Sequence, residues 1–441
     1  MSKLETILKS AFATAVAVAD PQKIVPEYLA NIFPFGQEPQ GKCLVVGAGK
    51  ASASMASALE KYATMHWPEV KLNGIVLTRY GHHSPTSHIQ IIEAGHPVPD
   101  QAGMDGAKAI LELVHQLEPG DVLIALISGG GSSLLTLPQE GISIEDMQQT
   151  TEALLRSGAP IEEMNVVRKH LSAILGGNLA RVAIAHGARV EALLISDVTG
   201  DLPADIASGP CAPDYSSYQD ALNIFTKYGL GDQSIPASVL EHLHRGVAGT
   251  IPETLKESDL ENAQVNNHVI ATAYKSLEAA ATYMRSEGYE PVILGDTITG
   301  EAQEVGLEQA HIARRYSMDE QSSKRRIALI SGGECTVTLP VGIQGRGGRC
   351  SEFLLSLFDS TPDMLRLSAL AADTDGIDGS EKNAGAWFTP QSRQEAKALN
   401  LSPSHFLAAH DCYGFFAQLD GLVETGPTLT NVNDFRIILL D

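Results

Sequence analysis

Lys50 closes the run Gly47-Ala48-Gly49-Lys50. A lysine on a glycine turn that opens a helix meets free backbone N–H groups and the positive end of the helix dipole, so phosphate or carboxylate is the ligand it would attract. A solvated lysine on a tight turn is the plainer alternative. Neither named nucleotide motif is complete, because Ser52 stands where a dinucleotide fingerprint needs its third glycine and Leu44 where a Walker A loop needs its first. Ser128-Gly129-Gly130-Gly131-Ser132-Ser133 is denser in donors. Its glycines leave successive N–H groups unobstructed and its serines add hydroxyls, a composition suited to wrapping an anion. In the second half, Ser331-Gly332-Gly333-Glu334 repeats the glycine turn. Gly345-Arg346-Gly347-Gly348-Arg349 then places Arg349 behind a glycine-rich loop, where a planar guanidinium can hold carboxylate or phosphate through two bonds.

Two further segments supply cations and carboxylates. Met164, Val167, Leu171 and Ile174 fall on one helical face, and Asn165, Arg168, Lys169 and Ser172 on the other, which is either solvated or turned to an anion. Asp197 and Asp201 follow an apolar run and precede Ser208-Gly209-Pro210. Aspartates so placed can hold Mg²⁺ with retained waters, accept a hydroxyl proton, or only form turns. Asp373-Thr374-Asp375-Gly376-Ile377-Asp378-Gly379 lacks the spacing and terminal glutamate of a calcium loop. His82, His83, His88 and His96 lack zinc-ligand spacing, and no G-x-S-x-G elbow occurs. The parts suit an enzyme of small anions, and phosphoryl transfer above all, where positioning and charge neutralisation do most of the work.

The elements that must position these residues read as α/β. Apolar runs at 42–46, 74–80, 88–95, 121–130 and 190–197 alternate with helical stretches such as 104–117, the pattern of a parallel sheet. Residues 228–265 are rich in Gly, Pro and charge, which puts a boundary there and predicts domains of 1–245 and 246–441, with a return of the final strand to the first domain left open. Helices over 273–289 and 300–316 and strands near 291–296, 325–333, 336–340, 366–373, 422–426 and 435–441 predict a second α/β domain with a mixed sheet. Ala-Leu-Ile-Ser-Gly-Gly occurs at 125–130 and again at 328–333. Either two buried strands end alike by chance, or each domain offers a glycine turn at a strand's carboxyl end, where open α/β sheets bind ligands.

The chain has 441 residues, a length for two or three domains. Its net charge of −22 opposes nonspecific binding to nucleic acid or anionic membrane, so any bound anion needs a local cluster of donors. Five dispersed cysteines fit a reducing compartment. The Ala-rich stretch over 11–19 is short and runs into Asp20-Pro21, which suits an amphipathic helix better than a signal peptide, and no apolar run is long enough to span a bilayer. A cytoplasmic protein with no nucleic-acid or membrane partner is expected, and a homodimer is compatible with the sequence.

The motifs VVGAGKA, TRYGHH, EAGHPVPDQAG, LISGGGSSLL, SGAPIEEMNVVRKHLSAI, LLISDVTGDLPADIASGP, LISGGECTVT, GRGGR, DTDGIDG, NAGAW and TGPTLTNVNDFRI follow one another nearly end to end. In that order they resemble the class II glycerate kinases, the glycerate 2-kinases of the MOFRL type. The resemblance implies a Rossmann-like N-terminal domain and a smaller C-terminal α/β domain, with the active site in the cleft between them. It also implies ATP- and Mg²⁺-dependent phosphorylation of D-glycerate on its 2-hydroxyl. Lys50 looks like the family's catalytic lysine and Arg349 like its catalytic arginine. Gly49, Ser128–Ser132, Asn165, Lys169, Ser208, Gly209, Gly332, Gly333 and Glu334 are then expected to line the substrate and nucleotide sites, with Asp197 as metal ligand or base and Asp201 as a second metal ligand. Arg349, with Lys169, would grip the glycerate carboxylate, while Lys50 and the Ser128–Ser133 turn neutralise the moving phosphoryl group. Cys350-Ser351-Glu352 replaces the usual Asn-Gln-Glu, Asp373 a frequent glycine, and His410-Asp411-Cys412 a common Asn-Asp-Ser. The competing activity is an NAD(P)H-dependent hydroxypyruvate reductase, with Arg79 near the end of the next strand to meet a 2′-phosphate. A noncatalytic binder of sugar acids or nucleotides is the third possibility.

Overall fold

The computed structural model describes residues 2–318, 325–340, 342–362 and 365–441. Its chain forms two compact units, Pro21–Ile270 and Met1–Asp20 with Ala271–Asp441.

The first unit is built on six strands: β1 (Cys43–Ala48), β2 (Leu72–Arg79), β3 (Ile89–Ala94), β4 (Val122–Ile127), β5 (Arg189–Ile195) and β6 (Val265–Ala271). They lie in the order β3-β2-β1-β4-β5-β6, and the pairs from β3 to β5 are parallel. That is the doubly wound order, which reverses direction between β1 and β4. Both strands are buried along their whole length and read as unbroken apolar runs, as strands covered on both faces must. At the reversal the helices feeding outward leave in opposite directions, so the carboxyl ends of β1 and β4 open a crevice lined by their two turns. Gly49-Lys50 and Ser128–Ser133 occupy those turns.

The second unit carries β7 (Glu290–Gly295), β9 (Ile327–Gly333), β11 (Leu367–Asp373), β12 (Gly385–Phe388), β13 (Leu422–Val423) and β14 (Asp434–Leu440) in one sheet ordered β13-β12-β11-β14-β9-β7. The short strands β8 (Gly300–Glu301) and β10 (Cys335–Thr336) pair separately. β14 runs antiparallel to both β11 and β9, whereas β7 and β9 are parallel, so the sheet is mixed. The helix Lys3–Ala17, capped by the Ser2 and Glu5 box, buries Ile7, Leu8, Ala11 and Phe12 in one apolar cluster with Leu277, Ala281, Met284 and Phe435.

The structure differs from the sequence reading at four points. The units divide at 270 and not at 245, because the weakly patterned stretch contains the helix Ala237–Val247 and leads into β6, which extends the first sheet. The N-terminal helix belongs to the second unit, since its apolar stripe finds partners there. The final strand stays in the middle of the second sheet, where its alternating neighbours bury it fully. The strand expected over 336–340 is only the two-residue β10.

Candidate active site

In the first unit the two glycine turns are tied to each other by backbone and hydroxyl. The Lys50 N–H donates to the Gly129 carbonyl at 2.9 Å, and the Ala51 N–H to Ser128 Oγ at 3.0 Å. Ser52 Oγ donates to the Leu126 carbonyl at 2.8 Å, so the serine that spoils the dinucleotide fingerprint fastens the helix Ser52–His66 to β4. Gly49 adopts φ 141°, and a Cβ there would lie 2.1 Å from Ser128 Oγ; only glycine permits the approach. His82 Nδ1 bonds the Lys50 carbonyl at 3.2 Å, which gives that buried histidine a part in shaping the turn.

The Ser128 turn then meets the loop after β5. Ser132 Oγ and Ser208 Oγ are 2.9 Å apart, and a Cβ on Gly131 would come within 2.6 Å of the Ala207 Cβ. Ala207, Ser208 and Gly209 take φ values of 50°, 56° and 59° in succession. Two non-glycine residues in the left-handed region are held there against a steric penalty, a form of strain that gathers at functional sites. Asp201 shares this conformation, at φ 54°. Asp197 and Asp201 are half-buried on the same loop. Among the described residues no group of three His, Cys, Asp or Glu side chains is arranged to hold a metal.

The polar face of the helix Ile161–Leu171 is less open than its pattern suggested. Lys169 and Ser172 are buried, and Lys169 Nζ lies 3.5 Å from Asp214 and 3.6 Å from Asp205. Lys169 therefore anchors the chain that carries Ser208 and Gly209, in place of presenting an open cation. Asn165 is half-buried on the same helix.

In the second unit Arg349 heads the helix Arg349–Ser360. Each of its three nitrogens donates to a carboxylate: Nε to Asp434, Nη1 to Glu334 and Nη2 to Asp373, each at 2.8 Å. The fully buried Arg436 shares Asp434 at 2.8 Å. Burial alone would lower the Arg349 pKa, but the charges of Asp434, Asp373 and Glu334 outweigh it and hold the guanidinium above its ordinary value. The expected open grip on a ligand carboxylate is thus a three-carboxylate clamp. Glu334, 54% exposed at its side chain, is the one partner that solvent reaches freely. Gly332 and Gly333 also differ from expectation: β9 runs through them, and a Cβ on Gly333 would strike the Ile298 carbonyl at 2.2 Å. These glycines admit a neighbouring backbone and do not form an open anion turn.

Asp378 lies beneath Arg349. Its carboxylate accepts the N–H groups of Cys350 and Ser351 at 2.9 and 2.8 Å and the Ser351 hydroxyl at 2.6 Å, capping the helix from 28 residues away. A Cβ on Gly348 would fall 2.3 Å from Asp378 Oδ1, which explains why the loop before Arg349 ends in glycine. Burial pushes the Asp378 carboxyl up from 3.8 to about 6, against the opposing bonds from Ser351 and Cys350. The folded state then holds this proton more tightly than the unfolded chain, so Asp378 favours folding below pH 4, and that contribution is lost as pH rises through 6. Asp378→Asn is accordingly expected to gain stability relative to the parent protein between pH 4 and pH 8, by about 3 kcal/mol for a shift of about two units. Urea unfolding at both pH values measures it; a pH-independent difference would show that Asp378 titrates normally.

Sequence reasoning missed Asp434 and Arg436. They stand two apart in an otherwise apolar strand and so share one face. Charges at that spacing inside a buried strand are the signal that could have found them. Glu352 and His410 are 3.0 Å apart; in the sequence His410 stands out only as a departure from the family pattern and Glu352 only as the neighbour of one.

A family model described as a domain of unknown function (DUF4147) matches residues 7–244, and the MOFRL family model matches 327–434. A Pyrococcus horikoshii protein named glycerate 2-kinase is 37% identical over 432 residues, covering 97% of this chain and 95% of its own. An Agrobacterium vitis protein, provisionally named a hydroxypyruvate reductase, is 44% identical over 434 residues, covering 98% and 94%. The crystal structure of a glycerate kinase from Thermotoga maritima matches with a TM-score of 0.86 at 35% identity, over 99% of each chain.

Proposed function

The chain belongs to the glycerate 2-kinase family with a C-terminal MOFRL domain, and on that footing we propose how its own residues carry the ATP-dependent phosphorylation of D-glycerate to 2-phosphoglycerate and ADP. The observation that carries the reading is the pair of interlocked glycine turns at the strand-order reversal, with Lys50 on one and Ser128–Ser133 on the other.

In the reaction the glycerate 2-hydroxyl oxygen forms a bond to the γ-phosphorus, the bond from that phosphorus to the β–γ bridging oxygen breaks, and ADP leaves while the hydroxyl proton passes to an acceptor. Little covalent chemistry is asked of the protein; it must place the reactants in line and offset charge on the moving phosphoryl group. Lys50 supplies a cation, and the Ser128–Ser133 turn supplies N–H and O–H donors. Ser208 joins them through its contact with Ser132. Arg349 takes the substrate carboxylate by exchanging Glu334, its most exposed partner, for the incoming anion. Asp197 and Asp201 offer hard oxygen donors suited to Mg²⁺ that keeps several waters, and they would hold the ion; bound there, it supplies charge neutralisation to the ATP phosphates. Asp197, if not engaged by metal, is the candidate acceptor for the hydroxyl proton.

The reductase name among the relatives makes a second activity worth an assay, but the incomplete fingerprint at Ser52 favours the kinase. Purified protein given ATP, Mg²⁺ and D-glycerate is expected to feed enolase directly. A signal that appears only when phosphoglycerate mutase is added identifies the 3-isomer and overturns the 2-kinase assignment. Oxidation of NADPH by hydroxypyruvate in place of ATP consumption would transfer the assignment to the reductase.

A further inference from the structure

The Ser132–Ser133 edge of the first unit's glycine turn opens on a cavity of about 630 Å³, which the helices Ile144–Ser157 and Ile161–Leu171 and the segment 97–99 also line. That volume lies in the range that buries a drug-sized ligand and far exceeds what a three-carbon acid fills. Its lining divides by chemistry. Val98, Met147, Leu155 and Leu175 contribute apolar surface, and Val98 and Leu155 remain 71% and 61% exposed. Two large aliphatic side chains left open beside a cavity are the kind of surface that a flat aromatic ligand covers.

Ser132, Ser133 and Arg168 stand in the polar part of the lining, with Thr136, Gln148 and Gln149 among its uncharged members. Arg168 is unlike the other cations near the two turns. Burial lowers its pKa, and among the described residues no carboxylate is paired with it as Asp214 is with Lys169. Of the acidic residues on the lining, Glu152 is engaged by Arg156 at 3.3 Å and Glu145 is exposed. A partly desolvated guanidinium without a compensating carboxylate is unfavourable in the empty protein and becomes favourable when an anion arrives.

We propose that this cavity receives the adenosine part of ATP, with the base against the apolar wall and Arg168 pairing with the phosphate chain beside Ser132 and Ser133. The assignment rests on the kinase reading for the identity of the nucleotide. It goes beyond that reading in placing the whole nucleoside in the first unit and in giving Arg168 the phosphate contact, which leaves the substrate carboxylate to other residues.

Arg168→Leu and Leu155→Asp test it in the full-length protein. Arg168→Leu is expected to raise the KM for ATP at least tenfold while changing the KM for D-glycerate less than threefold, and to leave the thermal midpoint unchanged or higher, since no ion pair is lost. Leu155→Asp is expected to weaken competitive inhibition by adenosine at least fivefold, whereas Arg168→Leu leaves adenosine inhibition intact because adenosine carries no phosphate. A rise in the KM for D-glycerate alone in Arg168→Leu assigns the cavity to the acid and overturns the proposal; unchanged constants for ATP in both variants overturn it as well. If the parent protein forms no phosphoglycerate, the kinase reading fails separately, and calorimetric binding of ADP to the same variants still decides the cavity.

Discussion

Arg349→Ala is expected to lower kcat/KM for D-glycerate at least tenfold, about 1.4 kcal/mol, and to destabilise the fold by about 3 kcal/mol. The second effect follows from the clamp. Removing the guanidinium leaves Asp373 and Asp434 buried without the cation they share, Arg436 still pairing with Asp434, and breaking a buried ion pair on one side strands the remaining charge. Loss of activity in this variant alone would therefore not separate catalysis from misfolding. Arg349→Lys separates them. A lysine keeps one positive charge among the three carboxylates but cannot direct three bonds along fixed lines. Its urea midpoint is expected near that of the parent protein, with kcat/KM still at least tenfold lower. A variant that is both stable and fully active would reduce Arg349 to a structural ion pair and remove it from the proposed mechanism.

What could be read from the sequence, and what could not, follows the range over which each feature is determined. Lys50 and the Ser128 turn are local: an apolar run, glycines and helix formers within about ten residues specify strand, turn and helix, and the turn chemistry comes with them. Placing both at the point of strand reversal required the order of the strands, whereas alternating strands and helices indicate only that the sheet is parallel. Arg349 was equally visible as a residue, yet its environment was not. Its partners Glu334, Asp373 and Asp434 lie 15, 24 and 85 positions away and come together through sheet pairing between β9, β11 and β14. The same holds for Asp378, which reads as one more turn aspartate until Gly348 is seen to pack against it. Lys169 shows the reverse error. Its place on a polar helical face pointed outward, but two aspartates from the following loop drew it into the interior. The pair Gly332-Gly333 misled for a related reason: a glycine doublet at a strand end signals close approach, and sequence alone does not say whether a ligand or another stretch of backbone approaches.

Lys50→Ala should remove more activity than any other single substitution in the first unit, with kcat/KM down about a hundredfold or more, roughly 2.7 kcal/mol. The backbone carries the reason that stability should change by less than about 1 kcal/mol. The turn is fixed by the Lys50 N–H to Gly129, the Ala51 N–H to Ser128 Oγ and Ser52 Oγ to Leu126, and none of these bonds uses the lysine side chain. The substitution therefore deletes charge from an otherwise preserved turn. In a loose phosphoryl-transfer transition state, charge spreads over the equatorial oxygens, and a cation held by a preformed turn stabilises that state without reorganising at the moment of reaction. The loss should accordingly fall mainly on kcat. An effect confined to the KM for ATP would mean that Lys50 contributes ground-state binding only, and a fall in kcat/KM of less than tenfold would remove it from the list of catalytic groups. Lys50→Arg restores the charge with a different shape and is expected to recover part of kcat, which would assign the lost activity to charge at this turn.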